Sequence, residues 1–382
     1  MKRLKGIIYD CIRWLATIGA RKTLPGNKLL IIRVDEIGDY ILWHKFLKEI
    51  ATSERFKDHE IHFCGNQSWR SLFNEFDTKW VSRVFWLDKT RFKKEIGYRY
   101  TFLKQICKQE YDVVINPTFS RDKRYDDSIV KAAKAADNYG MVANQESVQP
   151  YEKGYDKDLY NHLFDHAERP IFEFFRNRMF TEFVTGKKSV IADTKIDTTL
   201  LTELPVELPE KYFVVFPGSR SNKRIWPTEN FVLAGHYLFD THGWTAVVCG
   251  TASDAAYIDA FCEQYKQPCI NLMSKTSLTD MLAVFAKATC LLSVDTGSVH
   301  LAAAVGCPVF GIFNGSQYKR FAPYPQQVAA EFYAIYPDPV EEELKNDALV
   351  KQKYEFVIDA PYAGVRAEKV ILALSKRYPS ER

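Results

Sequence analysis

Apolar and polar positions along this chain predict strands followed by helices through most of its length. Short uninterrupted apolar runs are typical of parallel strands buried on both faces, and the segments between them have helical spacing. The predicted strands comprise residues 28–33, 60–64, 84–87, 111–116, 212–216, 244–249, 269–272, 291–294 and 309–313. The predicted helices comprise about residues 40–51, 69–76, 92–109, 228–241, 252–265, 278–288 and 298–305. Strands that alternate with helices indicate the α/β class with parallel sheets.

The length of the chain predicts more than one domain, because 382 residues are many for a single hydrophobic core. Residues 193–209 are rich in Thr, Asp and Pro and have little periodicity, which favours a linker. The predicted organisation is an arm at 1–27, a first domain at 28–192, a linker at 193–210 and a second domain at 211–382 that ends in a helix.

Composition narrows the class of protein. The chain has 52 basic and 48 acidic residues, a balance that argues against nucleic acid as a partner. Its 8 cysteines include no Cys-x-x-Cys pair, so we expect reduced thiols in a reducing compartment. No apolar run is long enough to span a bilayer, and the N-terminus lacks the hydrophobic core of a signal peptide. These features predict a cytoplasmic protein.

The N-terminal arm has an amphipathic pattern, with apolar residues at helical spacing from Leu4 to Ile18. Its six basic residues are Lys2, Arg3, Lys5, Arg13, Arg21 and Lys22. Such a helix either lies on an anionic membrane surface, here the inner face of the cytoplasmic membrane, or packs on the core of the protein. The sequence leaves both interpretations open.

Two turns in the second half carry groups that suit a diphosphate. One follows the strand at 212–216, and its members are Gly218, Ser219, Arg220, Lys223 and Arg224. The other, at Thr296 and Gly297, follows the strand at 291–294 and begins an Ala-rich helix. The carboxyl ends of parallel strands are where open α/β sheets bind ligands, and free helix amides with cations can hold phosphates without a metal.

In the first half, Asp39 falls where a strand gives way to a helix. It suits either a catalytic role at a strand end or the N-cap of its own helix. Two basic clusters also follow strands in this half, and they include Arg91 and Lys93 in one and Arg121, Lys123 and Arg124 in the other. Arginine forks bind phosphate or carboxylate, so these clusters indicate an anionic substrate, with solvated loop charge as the alternative.

Two further patterns are weaker. His162 and His166 have the spacing of metal ligands on a helix, but no third ligand follows, which favours an ordinary helix surface. The run Leu291–Ser298 matches the pattern around an aspartic-protease aspartate. That chemistry needs two such aspartates, and the chain has no second Asp-Thr-Gly or Asp-Ser-Gly.

Four blocks together resemble the signature of the ADP-heptose lipopolysaccharide heptosyltransferase family. They are Ile31–Asp39, Phe216–Ser219 with Lys223–Pro227, Leu272–Leu278 and Val294–Leu301, in the family's order. The resemblance implies a GT-B fold of two Rossmann-like doubly wound domains facing across a cleft. It also implies inverting, metal-independent transfer of a sugar, heptose from ADP-heptose, onto a lipopolysaccharide-core or related anionic glycolipid acceptor, with no cofactor.

The resemblance also implies a role for each residue that matches a functional position in the family's motifs. Asp39 would be the general base, Thr276 would lie near the donor's base, and the donor's phosphates and sugar would be held by Ser219, Lys223, Asp295, Thr296, Gly297 and His300. Ile225 interrupts the usual Lys-Arg-Trp-Pro, so either Lys223 or Arg224 fits the phosphate position. Asn314–Ser316 replaces the usual Gly-Pro-Thr. A nucleotide-sugar epimerase and a non-catalytic membrane-associated sugar-binding protein are the alternatives.

Overall fold

A computed structural model describes residues 2–19, 27–143, 155–166, 170–201, 204 and 206–380. The chain divides into two compact units, Met1–Ala167 with Phe175–Ile191, and Glu168–Phe174 with Ala192–Arg382. The predicted boundary at residue 192 lies beside this division, but the prediction did not assign Glu168–Phe174 to the second unit. Part of the predicted linker packs on that unit, since Ile196 N–H donates to the Ala304 carbonyl at 2.7 Å.

The first unit contains a six-stranded parallel sheet in the order β3-β2-β1-β4-β5-β6. Its strands are β1 Lys28–Arg33, β2 Glu60–Asn66, β3 Arg83–Leu87, β4 Val113–Asn116, β5 Asp137–Met141 and β6 His162–Phe164. The central strands form because their apolar runs can be buried on both faces, as residues 29–32 are in full. His162 lies on a strand, so the predicted helix surface with His166 is wrong.

Helices flank this sheet and depart from the predicted boundaries in two places. They are α1 Lys2–Thr17, α2 Ile37–Ile41, α3 Lys45–Ala51, α4 Arg70–Phe76, α5 Lys89–Lys94, α6 Ile96–Cys107, α7 Asp126–Ala133, α8 Tyr155–Leu159 and α9 Glu173–Thr185. The predicted helix at 40–51 begins earlier and is two helices, and the one at 92–109 is preceded by α5. Asp88 starts α5, because its carboxylate accepts the Arg91 N–H at 3.0 Å.

The second unit repeats the same winding in a six-stranded parallel sheet with the order β12-β11-β10-β7-β8-β9. Its strands are β7 Tyr212–Phe216, β8 Thr245–Val248, β9 Cys269–Asn271, β10 Cys290–Val294, β11 Val309–Ile312 and β12 Phe332–Ile335. Its helices are α10 Thr228–His242, α11 Ala255–Tyr265, α12 Leu278–Lys287, α13 Gly297–Ala304, α14 Asp338–Glu343, α15 Asp347–Leu349 and α16 Ala367–Arg377. The helix α16 confirms the predicted C-terminal helix.

Each sheet reverses its strand order once, between β1 and β4 in the first unit and between β7 and β10 in the second. A doubly wound sheet opens a crevice at this point, beyond the carboxyl ends of the strands. The predicted α/β class with two Rossmann-like domains is confirmed. Within the described part of the chain, no helix combines the length and the apolar composition that a membrane crossing requires.

Candidate donor and acceptor sites

The two predicted phosphate turns meet at the reversal point of the second sheet. β7 and β10 are hydrogen-bonded neighbours, so the turns after them leave the same edge of the sheet side by side. Ser293 Oγ, near the end of β10, donates to the Phe216 carbonyl at the end of β7 at 3.3 Å. The turn after β7 joins α10, and the turn after β10 joins α13. The two turns are therefore neighbours at the carboxyl edge of this sheet.

The turn after β7 requires glycine at its start. A Cβ at Gly218 would overlap the Asp254 carboxyl group, which is held in place by bonds from the backbone and hydroxyl of Thr251, both at 2.8 Å. Beyond Gly218 the chain forms a short 3-10 turn at Asn222–Arg224. This turn brings two cations, Lys223 and Arg224, to the edge of the sheet.

The turn after β10 is held by a chain of hydroxyl groups. Ser298 Oγ lies 2.8 Å from Ser293 Oγ and 2.6 Å from Thr296 Oγ1, and Thr296 is the N-cap of α13. Asp295 forms an ion pair with Arg224 at 3.2 Å. Burial raises the pKa of the Asp295 carboxyl, whereas Arg224 and a hydrogen bond from Tyr362 act to lower it. The ion pair joins the two turns, so Arg224 is oriented from within the fold.

A cavity of about 250 Å³ opens beside the turn after β7. Its lining residues are Ser219, Arg220, Ser221, Lys223, Arg224, Asn314, Ser316 and Val357–Ala360. Lys223 forms an exposed ion pair with Asp359 of this lining, whereas Arg224 is turned inward to Asp295. Both cations reach the cavity, so the structure leaves the choice between them open.

Asn314 and Ser316 shape the opposite wall of this cavity. Asn314 Nδ2 donates to the Ala360 carbonyl at 2.9 Å, and Ser316 Oγ accepts the Ile358 N–H at 3.0 Å. These bonds fix residues 357–360 at the cavity wall. Sequence reasoning missed this segment, because it has neither periodicity nor a charge pattern.

Five of the predicted donor residues are not part of the cavity lining, namely Thr276, Asp295, Thr296, Gly297 and His300. His300 is buried on α13, where its Nδ1 lies 2.7 Å from the Tyr324 hydroxyl. Burial lowers the pKa of His300 to about 4, so its imidazole is neutral near pH 7 and brings no positive charge to a phosphate. Thr276 lies between β9 and α12, immediately before the α12 cap at Ser277.

Asp39 lies in the first turn of α2, beyond the carboxyl end of β1. The N-cap alternative is wrong, because the cap is Glu36 and Asp39 is the third residue of the helix. Asp39 Oδ2 accepts the Glu36 N–H at 3.3 Å. Arg33 holds the backbone around Asp39 in place, because its guanidinium donates to the Asp39 carbonyl at 3.0 Å and pairs with the Asp35 carboxylate at 3.0 Å. The Asp39 side chain stays partly exposed.

Other carboxyl groups surround Asp39. Burial raises the pKa of Asp35 well above its usual value; Arg33 opposes that shift, and the charges of Asp39 and Asp126 add to it. Burial likewise raises the pKa of Asp126 to about 6. Lys89 adds a cation, which pairs with Glu36 at 2.9 Å. Clusters of carboxyl groups with displaced pKa values are typical of sites that transfer protons.

The predicted acceptor cations fall into two groups. Arg91 lies on α5 and binds Glu95 through a two-pronged ion pair, and Lys93 is exposed on the same helix. Lys123 lies over the Tyr155 ring, and Arg124 pairs with Asp122. All four remain near the surface.

Arg121 does not fit the prediction of a basic loop. Its side chain is buried, pairs with Asp127 at 3.1 Å and with Asp156, and donates to the Met141 carbonyl. Its charge is neutralised inside the fold, so Arg121 is a structural residue. Among the described residues, no three His, Cys, Asp or Glu side chains come together as they would around a metal ion, and His162 instead contacts Asp137.

Comparisons with known proteins agree with this geometry. The family model for glycosyltransferase family 9 (heptosyltransferase) matches residues 99–348. Lipopolysaccharide heptosyltransferase 3 of Escherichia coli K12 is 27% identical over 177 residues, which cover 45% of this chain and 48% of that relative. The chain thus spans about half the length of the curated relative it matches.

Solved structures show the same fold over nearly the whole chain. A family 9 glycosyl transferase from Veillonella parvula has a TM-score of 0.67 at 16% identity, with 94% of this chain and 98% of that chain covered. Escherichia coli heptosyltransferase WaaC with ADP-2-deoxy-2-fluoro heptose has a TM-score of 0.65 at 17% identity, with 92% and 99% covered. These similarities confirm the GT-B prediction. The chain belongs to glycosyltransferase family 9, the heptosyltransferases.

Proposed function

We propose that this protein is an inverting, metal-independent glycosyltransferase that transfers heptose from ADP-heptose onto the lipopolysaccharide core or a related cell-surface glycan. The observation that carries the proposal is the cavity at the reversal point of the second sheet, lined by Lys223 and Arg224. Family membership supports the reaction class. The ADP-2-deoxy-2-fluoro heptose of the similar E. coli structure supports the choice of donor.

The leaving group in this reaction is a nucleoside diphosphate, which gains negative charge as the bond to the sugar breaks. Lys223, Arg224 and the free amides at the start of α13 supply positive charge at this point, as a divalent cation does in other transferases. Asp295 holds Arg224 in place at 3.2 Å, so little reorganisation is needed when the charge develops.

Inversion requires a base that removes the proton of the acceptor hydroxyl while that oxygen attacks the anomeric carbon. We assign this role to Asp39, because its carboxyl group is partly exposed and its backbone is fixed by Arg33. The buried Asp35 is a poorer base, since its carboxyl group already receives the Arg33 guanidinium.

The acceptor side of the proposal is an anionic glycolipid at the cytoplasmic face of the membrane. Lys93, Lys123 and Arg124 provide cations for its phosphate or carboxylate groups. Helix α1 packs on the first unit through Ile12 and Ala16 but exposes a second apolar stripe of Ile7, Ile8, Trp14 and Leu15, which Ile18 extends just beyond the end of the helix. This stripe supports peripheral membrane association. Residues 20–26 of the arm lie outside the described residues.

The test combines binding and turnover. The melting temperature is measured with ADP-, UDP-, GDP- and CMP-sugars, and transfer is measured with and without EDTA. We expect ADP-heptose to give the largest stabilisation, and NMR of the product to show an inverted anomeric centre in both conditions. Abolished transfer in EDTA would contradict metal independence, and release of a free epimerised sugar without acceptor would favour an epimerase.

A further inference from the structure

A second cavity, of about 200 Å³, lies in the first unit beside α1, α6 and α7. Of the described residues, five cationic side chains and one acidic side chain, Asp10, line it. The cations are Arg13, Arg99, Lys123, Arg124 and Lys131. Asp122 neutralises Arg124 from outside the lining, so the cavity keeps an excess of positive charge.

Arg99 is the strongest sign that this cavity is built for an anion. Its side chain is 1% exposed, yet it forms no ion pair with any described carboxylate. Its guanidinium donates to the Arg124 carbonyl at 2.8 Å, to Ser128 Oγ at 2.9 Å and to the Phe92 carbonyl at 3.4 Å, and its Nε has no partner among the described residues. It is sandwiched between the rings of Tyr9 and Phe92, at 4.1 and 4.2 Å. A buried cation without a counter-ion is unfavourable, and a bound anion would relieve that penalty.

The neighbouring cations face the same space. Lys131 forms no ion pair within the described ranges and lies 4.6 Å from the centre of the Tyr155 ring. Burial and then the charge of Arg13 lower the pKa of Lys131, so the two cations are close enough to repel each other. Among the described carboxylates, Asp10 alone pairs with Arg13, and its side chain is 69% exposed. An anion between Arg13 and Lys131 would remove this repulsion.

The position of the cavity on α1 indicates the source of the anion. A helix turns by about 100° per residue, so Gly6, Asp10 and Arg13 form a flank next to the exposed stripe of Ile7, Trp14 and Ile18. A polar headgroup in the cavity would thus place its acyl chains along that stripe. This arrangement is the one that an interfacial helix uses on an anionic bilayer.

We propose that this cavity binds the phosphate headgroup of an anionic phospholipid, with Arg13, Arg99 and Lys131 as its ligands. The site would orient the first unit on the membrane that carries the acceptor, and in this respect it rests on the proposed function. It is distinct from the donor cavity, which lies wholly in the second unit.

Partition of the full chain onto vesicles tests the site, with the donor omitted so that failure of the transfer reaction does not affect the result. Three vesicle types are compared: neutral phosphatidylcholine, the same lipid with phosphatidylglycerol, and the same lipid with oleate at equal surface charge. We expect tighter binding to the phosphatidylglycerol vesicles than to the oleate vesicles, and inorganic phosphate should weaken binding more than chloride at equal ionic strength.

Variants separate the cavity from general surface charge. Arg13→Gln with Lys131→Gln should weaken binding about 30-fold, since each basic residue near an anionic surface contributes about fivefold. The control Lys79→Gln with Lys108→Gln removes two exposed lysines of the same unit and should change binding less than about threefold.

A charge-neutral variant makes the test sharper. Gly6 lines the cavity and has open space where a Cβ would lie, so Gly6→Leu fills the cavity without backbone strain. Gly97→Leu is the matched control, because Gly97 is also helical with open space around it. We expect only Gly6→Leu to weaken binding, although it adds apolar surface.

Three results would overturn the proposal. Equal binding to phosphatidylglycerol and oleate vesicles would indicate surface charge alone. Wild-type binding by Gly6→Leu would exclude the cavity. If the protein binds inorganic phosphate but none of the three vesicle types, the ligand of the cavity is a soluble phosphate compound. Melting-temperature shifts with ADP, measured on each variant, show whether the second unit remains folded.

Discussion

Replacing Asp39 with asparagine separates proton transfer from the structural role of this residue. Asp39 Oδ2 accepts the Glu36 N–H at 3.3 Å, and the amide oxygen of asparagine can accept the same bond. The two side chains have nearly the same shape. The amide, however, cannot take the proton of an acceptor hydroxyl near pH 7. We therefore expect Asp39→Asn to fold normally and to transfer sugar slowly.

The size of each effect follows from the surroundings of Asp39. Loss of a negative charge in the first turn of α2 removes about 0.3–1 kcal/mol of stability. The same change relieves the repulsion that Asp39 exerts on the buried Asp35, which acts in the opposite direction. The net change should stay within about 1 kcal/mol, or about 2–4 °C in melting temperature. Loss of a general base lowers kcat by about 10²- to 10⁴-fold, equal to about 3–5 kcal/mol in the barrier.

The assay measures kcat, the donor dissociation constant and the melting temperature on one preparation of each variant. Asp280→Asn is the matched control, since Asp280 is also the third residue of its helix and accepts the backbone N–H of its N-cap residue, Ser277, at 2.8 Å. We expect similar melting temperatures and donor affinities for both variants and a loss of kcat in Asp39→Asn alone. Near-normal turnover by a stable Asp39→Asn protein would refute the assignment and direct attention to Asp35 and Glu36.

Three further predictions concern the second unit. The double variant Lys223→Ala, Arg224→Ala should bind ADP-heptose at least about tenfold more weakly, as measured by calorimetry. The control double variant Lys266→Ala, Lys287→Ala removes two exposed lysines and should bind ADP-heptose normally. Asp359→Asn should tighten donor binding by a few-fold at most, because the ion pair that it removes from Lys223 is exposed; weaker binding would instead make Asp359 a donor ligand. Burial lowers the pKa of His300 to about 4 in the folded protein, whereas the same side chain in the unfolded chain has a pKa of about 6.5. As the pH falls from about 6.5 towards 4, the imidazole is therefore protonated in the unfolded chain but not in the folded protein, and the free energy of unfolding decreases. Urea unfolding at pH 7 and pH 5 should show about 2 kcal/mol more loss in the wild type than in His300→Gln, and equal losses would contradict a buried neutral histidine.

The sequence predicted five of the six strands of the second sheet, because these five are short apolar runs bounded by turns, and it did not predict β12. Tyr212–Phe216 matches the predicted strand exactly in its bounds, and β10 and β11 differ by one residue at one end. Such runs indicate a strand clearly, because a strand that is buried on both faces needs apolar residues at every position. The structure adds the pairing of β7 with β10, which agrees with the usual winding of α/β sheets.

Other features depend on distant partners and leave little trace in the local pattern. The sequence around Arg121 indicates an exposed loop cation, but in the folded chain its guanidinium pairs with Asp127 and Asp156. His162 has helical spacing from His166, yet pairing of residues 162–164 with β5 makes this segment a strand. The cavity wall at 357–360 is fixed by Asn314 and Ser316, more than 40 residues earlier in the chain. In the first two cases tertiary contacts override a local signal, and in the third the position depends on tertiary contacts alone.

The two units have the same strand order, but they place residues of opposite charge at the reversal point of the sheet. At the reversal point of the first sheet, β1 leads into Asp35 and Asp39, and burial raises the pKa of the Asp35 carboxyl. At the reversal point of the second sheet, β7 leads into Lys223 and Arg224, and Asp295 serves to orient a cation. A displacement reaction needs a base for the nucleophile and positive charge for the leaving group. In the proposed reaction these two functions belong to separate sheets, so the base and the cations for the leaving group are each positioned by their own unit.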